Sequence, residues 1–588
     1  MFMTMNYQST DPRDLDLVQE AGFNWIATCW IGHYAENKFN DDLPVFFEKH
    51  KRIHALRKKR HAEIKQNIDK FRKFNEAARR RGLKVALFSY EISLPQELKQ
   101  AYPELFYPFP EKFLKRVPEK KDERLLCVFD PRTQELIADK VAETLRNIGP
   151  VDAWLYTNHE DMWGAGLMHH NCANCSSRPR WQGLRLLRDA MRNGVERLPY
   201  KVELIHRFWG SQHPDGYSRL GKYLLERHCL EKKNNINWKK TEHELRSGLI
   251  LNKFRPSRDL PPFMKSLERE PARPWIMSKA TWSDYLLRQP PNPWIGFSKG
   301  KVNEIMELSI EPCHRKLYGF IPCLLLKQMQ KHLLYGLKRG IKGVFLNPIE
   351  STDWGLNLAN LKVGLQLFKQ PGANLNQLLG DWLRQNYRGK FPAWLVRHLL
   401  ASEDIWAELA AYNGISGLVN FDVILLPRCF LSQYAVYYIM PLVEEAFPDA
   451  AEKFDLSQKG FGRAVNNWNR QVARAKKMNA TVTNNISEIP ARARPDVQRF
   501  FDRLAVLTEY ASLMQKLLFS RLALEYGKLE AKPTLMHLME QWSYRVYYLI
   551  AADKEIQEKY ASWKQQGKIY PAGFIETDAD LSSTSKQT

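Results

Sequence analysis

Carboxylates at the ends of short apolar strands, set beside aromatic rings, are the residues of this chain best suited to acid–base chemistry. In Trp154-Leu-Tyr-Thr-Asn158-His-Glu160-Asp161-Met-Trp163-Gly164 a strand pattern runs into a polar turn, and a period of two puts Tyr156, Asn158 and Glu160 on one face. A carboxyl desolvated beside Trp163 has a raised pKa and suits a general acid at neutral pH. The plainer reading of Glu160 is a loop carboxylate that caps or pairs. Asp284 follows the strand Trp275–Lys279 and is flanked by Trp282 and Tyr285. Glu307 alternates with Ser309 and Glu311 against Met306, Leu308 and Ile310. A carboxylate in so apolar a strand is costly unless it has a purpose, either chemical or as a structural ion-pair partner.

A second constellation is His169-His170-Asn-Cys172-Ala-Asn-Cys175, on the loop following Glu160. Two thiolates two residues apart beside imidazoles have the ligand types of tetrahedral zinc, but a closed structural site needs further ligands and the sequence shows no second close cysteine pair. The expectation is a loop staple at Cys172 and Cys175, by structural zinc or a disulfide, or else an unbound thiol pair. No other cofactor is expected.

The elements that must position these groups repeat one pattern: an amphipathic helix, a glycine at its end, then a short apolar strand. This is the rhythm of a parallel sheet. Strands are expected at Phe23–Trp30, Lys84–Tyr90, Leu125–Phe129, Ala153–His159, Val202–Phe208, Trp275–Lys279, Glu304–Ile310 and Gly343–Asn347. Eight strands alternating with helices predict an α/β fold, a (β/α)8 TIM barrel over residues 1–390. Near Pro392 the glycine–strand rhythm stops, and long stretches of helical period predict an all-α domain over 391–577, ahead of a disordered tail at 578–588.

Composition bounds the function. With 588 residues, 44% hydrophobic and 26% charged, the chain is a folded multi-domain protein and neither disordered nor fibrous. No window approaches about 18 consecutive apolar residues, so no membrane partner is expected, and the first residues lack a leader pattern, which points to the cytoplasm. The eight cysteines are mostly scattered. The net charge of +23 favours anionic partners. Fifteen Lys or Arg lie between Lys49 and Lys84, where a basic helix could meet phosphates. An apolar stripe of Ile53, Leu56, Ile64, Ile68, Phe71 and Phe74 instead makes those charges the solvated face of an outer barrel helix, and no nucleic-acid motif accompanies them. Nucleic acid is therefore not the expected partner; the oligomeric state stays open, a homodimer included.

Four motifs in order over residues 20 to 390 resemble the α-glucuronidases of glycoside hydrolase family 67. Trp154–Gly164 is similar to the segment carrying that family's general acid. Lys279-Ala-Thr-Trp-Ser-Asp284-Tyr-Leu, then Pro291-Asn-Pro-Trp-Ile-Gly296, then Met306-Glu307-Leu-Ser-Ile310, resembles its run of lysine, catalytic Asp and catalytic Glu. Asp353-Trp354-Gly-Leu-Asn-Leu-Ala359-Asn360 and Leu378–Arg384 resemble its end-of-barrel helices. Here the acid segment reads His-Glu-Asp in place of Ser-Glu-Gly, the barrel pattern begins almost at Met1 without that family's preceding β-sandwich, and Glu311 competes with Glu307.

The resemblance implies an exo-acting glycosidase on an α-linked uronic acid or other acidic glycan. Glu160 would protonate the leaving oxygen, while Asp284 and Glu307 activate a water, with inversion. Lys279 and Arg207 are the candidate partners of the sugar carboxylate, and Asn158, Trp163 and Trp354 complete the candidate substrate contacts. Two rivals stay open: a substrate-assisted, hexosaminidase-like barrel using Glu160 with Asp161, and a non-catalytic barrel that binds acidic glycan or nucleic acid.

Overall fold

The structure is a computed structural model that describes residues 2–7, 14–29, 44–90, 94–95, 97–108, 124–158, 172–175, 178–208, 256–270, 272–280, 291–292, 294–309, 321–347, 355–414, 455–525 and isolated positions from 533 to 545. Its strands are β1 (Phe2–Tyr7), β2 (Trp25–Cys29), β3 (Lys84–Tyr90), β4 (Phe106–Pro108), β5 (Arg124–Leu126), β6 (Ala153–Asn158), β7 (Glu203–Phe208), β8 (Trp275–Lys279), β9 (Asn303–Ser309) and β10 (Gly343–Asn347). Eight of them form a closed parallel ring in the order β1, β10, β9, β8, β7, β6, β3, β2, with β1 paired to both β10 and β2.

Local sequence explains how helices feed this ring. Asp130 caps the helix Pro131–Ile148, its carboxylate accepting the N–H of Arg132 at 2.9 Å, and Pro131 opens the first turn. That helix stops at Gly149, whose φ of 84° admits the turn into β6 at little cost to a residue without Cβ. Alternation then divides the strands. Ala27, Ala86, Phe88, Ala153, Leu155, Ile205, Met277, Ile305 and Phe345 fill the lumen as a core of their own. Trp25 and Trp275, each the first residue of its strand, pack against the N-terminal end of this core. The intervening residues, among them Ile26, Leu87, Trp154, Tyr156, Leu204, Ile276, Met306 and Val344, join the larger core between strands and helices.

The expected strand Leu125–Phe129 is not part of the ring. Only Arg124–Leu126 is extended, as β5, and it pairs antiparallel with β4 in a separate two-stranded sheet. The ring's eighth place belongs to β1, Phe-Met-Thr-Met-Asn-Tyr. That segment has one β-branched residue and no helix–glycine unit ahead of it, so the repeating pattern did not announce it.

The basic stretch folds as the helices Lys51–Arg57 and His61–Arg80 around a short 3-10 turn. Ile53, Ile64, Ile68, Phe71 and Phe74 are buried, which leaves most of the charges on the outer face. Arg57 is the exception: it is fully buried and donates to Glu97 at 3.1 Å and to the carbonyl of Val45. The preceding loop is anchored by Glu143, whose carboxylate accepts the backbone N–H groups of Phe46, Phe47 and Glu48.

After Asn347 the described elements are helical: Leu358–Lys369, Leu375–Tyr387, Ala393–Leu409, Gln458–Asn484 and Arg494–Glu525, with short 3-10 turns. Helix Ala393–Leu409 docks on the barrel helix Leu326–Lys338. Glu403 accepts the N–H groups of Lys327 and Gln328 at 3.0 and 2.9 Å, Ser402 accepts from Leu324, and the Trp406 indole donates to the carbonyl of Pro322. A buried anion at a helix N-terminus is favoured by the free amides and the helix dipole. Burial nonetheless lifts the Glu403 pKa to about 7. None of the described helices is long and apolar enough to cross a membrane.

Candidate active site

The C-terminal ends of β7, β8 and β9 bring three of the expected residues together. Arg207 is the second-last residue of β7, Lys279 the last of β8, and Glu307 lies two residues from the end of β9. Register sets Lys279 opposite Glu307 and Arg207 opposite Met277. All three share the strand parity of the lumen residues Ile205, Met277 and Ile305, so they form the next level above that apolar core. Arg207 reaches over β8 to Glu307, with Nε to Oε2 at 2.6 Å and Nη2 to Oε1 at 2.9 Å. Both side chains are almost completely buried, at 3% and 1% exposure. The guanidinium also lies 5.6 Å from the centre of the Phe88 ring, which contacts Phe345 across the lumen.

A two-bond guanidinium–carboxylate pair is the strong, oriented form of a charge-assisted hydrogen bond. It fixes the plane of the Glu307 carboxyl and favours its ionised form. It also gives Arg207 a partner within the chain. Among the described lumen-facing side chains of this level, two cations face one carboxylate.

Beneath the outer surface of the same strands lies a second buried network, which sequence reasoning did not find. Tyr156 faces the helical layer, where its hydroxyl meets His206 Nδ1 at 3.0 Å and Arg188 at 3.4 Å; Arg188 in turn holds Glu270 by two bonds. Burial raises Tyr156 to about 12, and burial with the nearby Arg188 charge keeps His206 well below its usual range, so His206 is neutral. Glu304, on the outward side of β9, accepts from Ser278 Oγ at 2.5 Å and from the Gly296 N–H at 2.8 Å, and burial raises it to about 7. These groups tie strands to helices and loops behind the barrel wall. The only sequence signal for them was polar residues at outward positions of otherwise apolar strands.

Glu160, Asp161, Trp163, Asp284, Glu311 and Trp354 lie outside the described residues, as do His169, His170 and the side chain of Asn158. Cys172 and Cys175 are described and buried, with their sulfurs 3.3 Å apart, and a third thiol joins them: Cys127 Sγ is 3.7 Å from Cys172 Sγ. Cys127 falls in the segment expected as a strand, where a cysteine reads as one more small core residue.

No protein-family model matches the chain, and no curated protein matches it in sequence. Solved structures are similar to it to differing degrees. A GH138 enzyme targeting pectin rhamnogalacturonan II superposes with a TM-score of 0.52 at 14% identity, covering 94% of this chain and 62% of that one. The chain thus spans less than two-thirds of that enzyme's length. An O-GlcNAc hydrolase from Thermobaculum terrenum matches with a TM-score of 0.39 and 9% identity over 96% of each chain. An exo-β-N-acetylglucosaminidase of family GH20 from Vibrio harveyi gives 0.31 and 10% over 68% of this chain and 58% of that one. The chain therefore has the mixed α/β fold, built on a parallel barrel sheet, that the GH138 enzyme displays. The motif resemblance to family 67 is separate from this, since the structures named here belong to other glycosidase families.

Proposed function

We propose that the protein is a glycoside hydrolase acting on an acidic glycan, with residues 1–390 as a (β/α)8 catalytic barrel and 391–577 as an all-α domain. The observation that carries this reading is the buried Arg207–Glu307 pair beside Lys279, at the end of the parallel barrel where such folds carry their chemistry. The fold shared with the GH138 enzyme supports the class.

In this reading Glu160 is the general acid that protonates the departing glycosidic oxygen, and Asp284 with Glu307 activates the attacking water. Arg207 acts as a positioning residue, holding Glu307 ionised and in one plane. Lys279 stands level with Glu307 and attracts the carboxylate of an α-linked uronate or similar acidic sugar. Inversion requires the acid and the water-activating carboxyls to stand about 6.5 to 9.5 Å apart, leaving room for the water. Asn158, Trp163 and Trp354 complete the proposed sugar contacts.

A screen of neutral and uronate-bearing oligosaccharides with mass detection tests the proposal. Release of a single acidic sugar residue per turnover supports it. A protein that binds acidic glycans but cleaves none would overturn it.

A further inference from the structure

We infer that Cys127, Cys172 and Cys175 form one structural metal site, and that its ion is zinc. The three thiols are buried, and their sulfurs all lie within 4.8 Å of one another. Tetrahedral zinc with Zn–S bonds of about 2.3 Å requires sulfurs roughly 3.8 Å apart. The Cys127–Cys172 separation is 3.7 Å and the Cys172–Cys175 separation is 3.3 Å. A disulfide requires sulfurs about 2.05 Å apart and joins only two of the three, leaving a buried thiol against the bridge.

The local backbone is built to present these sulfurs. Cys172–Cys175 is a tight turn, closed onto the next segment by the Arg178 N–H to the Cys175 carbonyl at 3.2 Å. Cys127 is held by its own N–H to the Leu105 carbonyl and by the Asp130 N–H to its carbonyl, each at 3.2 Å. Soft sulfur ligands in tetrahedral array select zinc over hard cations. Binding is not a redox step: Zn²⁺ displaces the three thiol protons to solvent and forms three Zn–S bonds. Water completes the tetrahedron as the fourth ligand.

The site joins two places far apart in sequence. Cys127 directly precedes the helix that delivers β6, and Cys172 and Cys175 lie on the connection leaving β6. The ion would therefore clamp the entry and exit of the unit whose following loop carries Glu160. The clamp is independent of what the barrel hydrolyses.

The test is metal analysis of untagged protein, purified without added metal and dialysed. One zinc per chain is expected, with protection of these three cysteines from alkylation until a chelator is added, as mapped by peptide mass. Cobalt in place of zinc should give a thiolate charge-transfer band and the visible spectrum of a tetrahedral site. Cys127→Ser should lower the zinc content several-fold; if that variant fails to fold, alkylation mapping and the cobalt spectrum of the unaltered chain decide the matter. A Cys172–Cys175 disulfide, three thiols alkylated equally with and without chelator, or zinc retained in full by folded Cys127→Ser would each overturn the inference.

Discussion

Arg207 and Glu307, on strands that do not touch, meet through two hydrogen bonds of 2.6 and 2.9 Å above the apolar core of the barrel, with β8 passing between them. The pair couples the fold's stability to the orientation of a carboxylate at the C-terminal end of the barrel strands.

Removing Arg207 strips the buried Glu307 carboxylate of its two-bond partner, and breaking a buried pair in this way costs about 3 to 5 kcal/mol. Arg207→Met is expected to lower unfolding free energy in urea by that amount. The double variant Arg207→Met/Glu307→Leu should recover part of it, because replacing a buried pair by apolar groups of similar volume is often neutral while Lys279 loses the carboxylate opposite it. A single variant as stable as the unaltered protein would show that the pair carries no such weight.

Two buried glutamates set a pH dependence. Burial raises Glu304 and Glu403 to about 7, from the ordinary 4.5. The folded state therefore binds protons that the unfolded chain has already released between pH 4.5 and 7. Their stabilising contribution is complete below about 4.5 and is lost as pH rises through about 7, at up to roughly 1.4 kcal/mol per pH unit for each group. In urea unfolding at pH 5, 6 and 7, the stability difference between the unaltered protein and Glu304→Gln or Glu403→Gln should fall with that slope, since the opposite contribution of neutral His206 is common to all three. A stability that rises across this window in the unaltered protein, and is unchanged in both variants, would contradict the assignment.

The charge of the sugar is tested at Lys279. Loss of a buried charge partner costs about 2 kcal/mol or more, so Lys279→Met should weaken kcat/KM for a uronate substrate about thirtyfold and leave its neutral analogue nearly unaffected. Equal losses on both substrates would keep the hydrolase reading and remove the uronate.

How far the sequence could be read follows from which residues carried a period. Strands preceded by a helix and a glycine were legible, and the period of two brought Arg207, Lys279 and Glu307 to the same end of the barrel. The same period said nothing about which polar groups would pair, so Arg207 read as a substrate contact while the fold bonds it to Glu307. β1 was missed because Met3, Met5 and Asn6 carry little strand preference. Cys127 was missed because a single cysteine 45 residues from Cys172 leaves no spacing signature. Tyr156 points to the helical layer, where Arg188 and His206 engage its hydroxyl, while Glu160 and the Asn158 side chain, expected on the same face, lie outside the described residues.

The central claim is that a carboxyl on the loop after β6 acts as the acid in glycosidic cleavage. Its most direct measurement compares Glu160→Gln with the unaltered protein on two acidic glycosides, one with a sugar leaving group and one with a strongly acidic phenol. General acid catalysis contributes about 10²-fold or more where the leaving group needs a proton. The account predicts a loss of that size in kcat on the sugar-leaving substrate and a much smaller loss on the aryl glycoside. Full activity of Glu160→Gln on both, or equal losses on both, would contradict it.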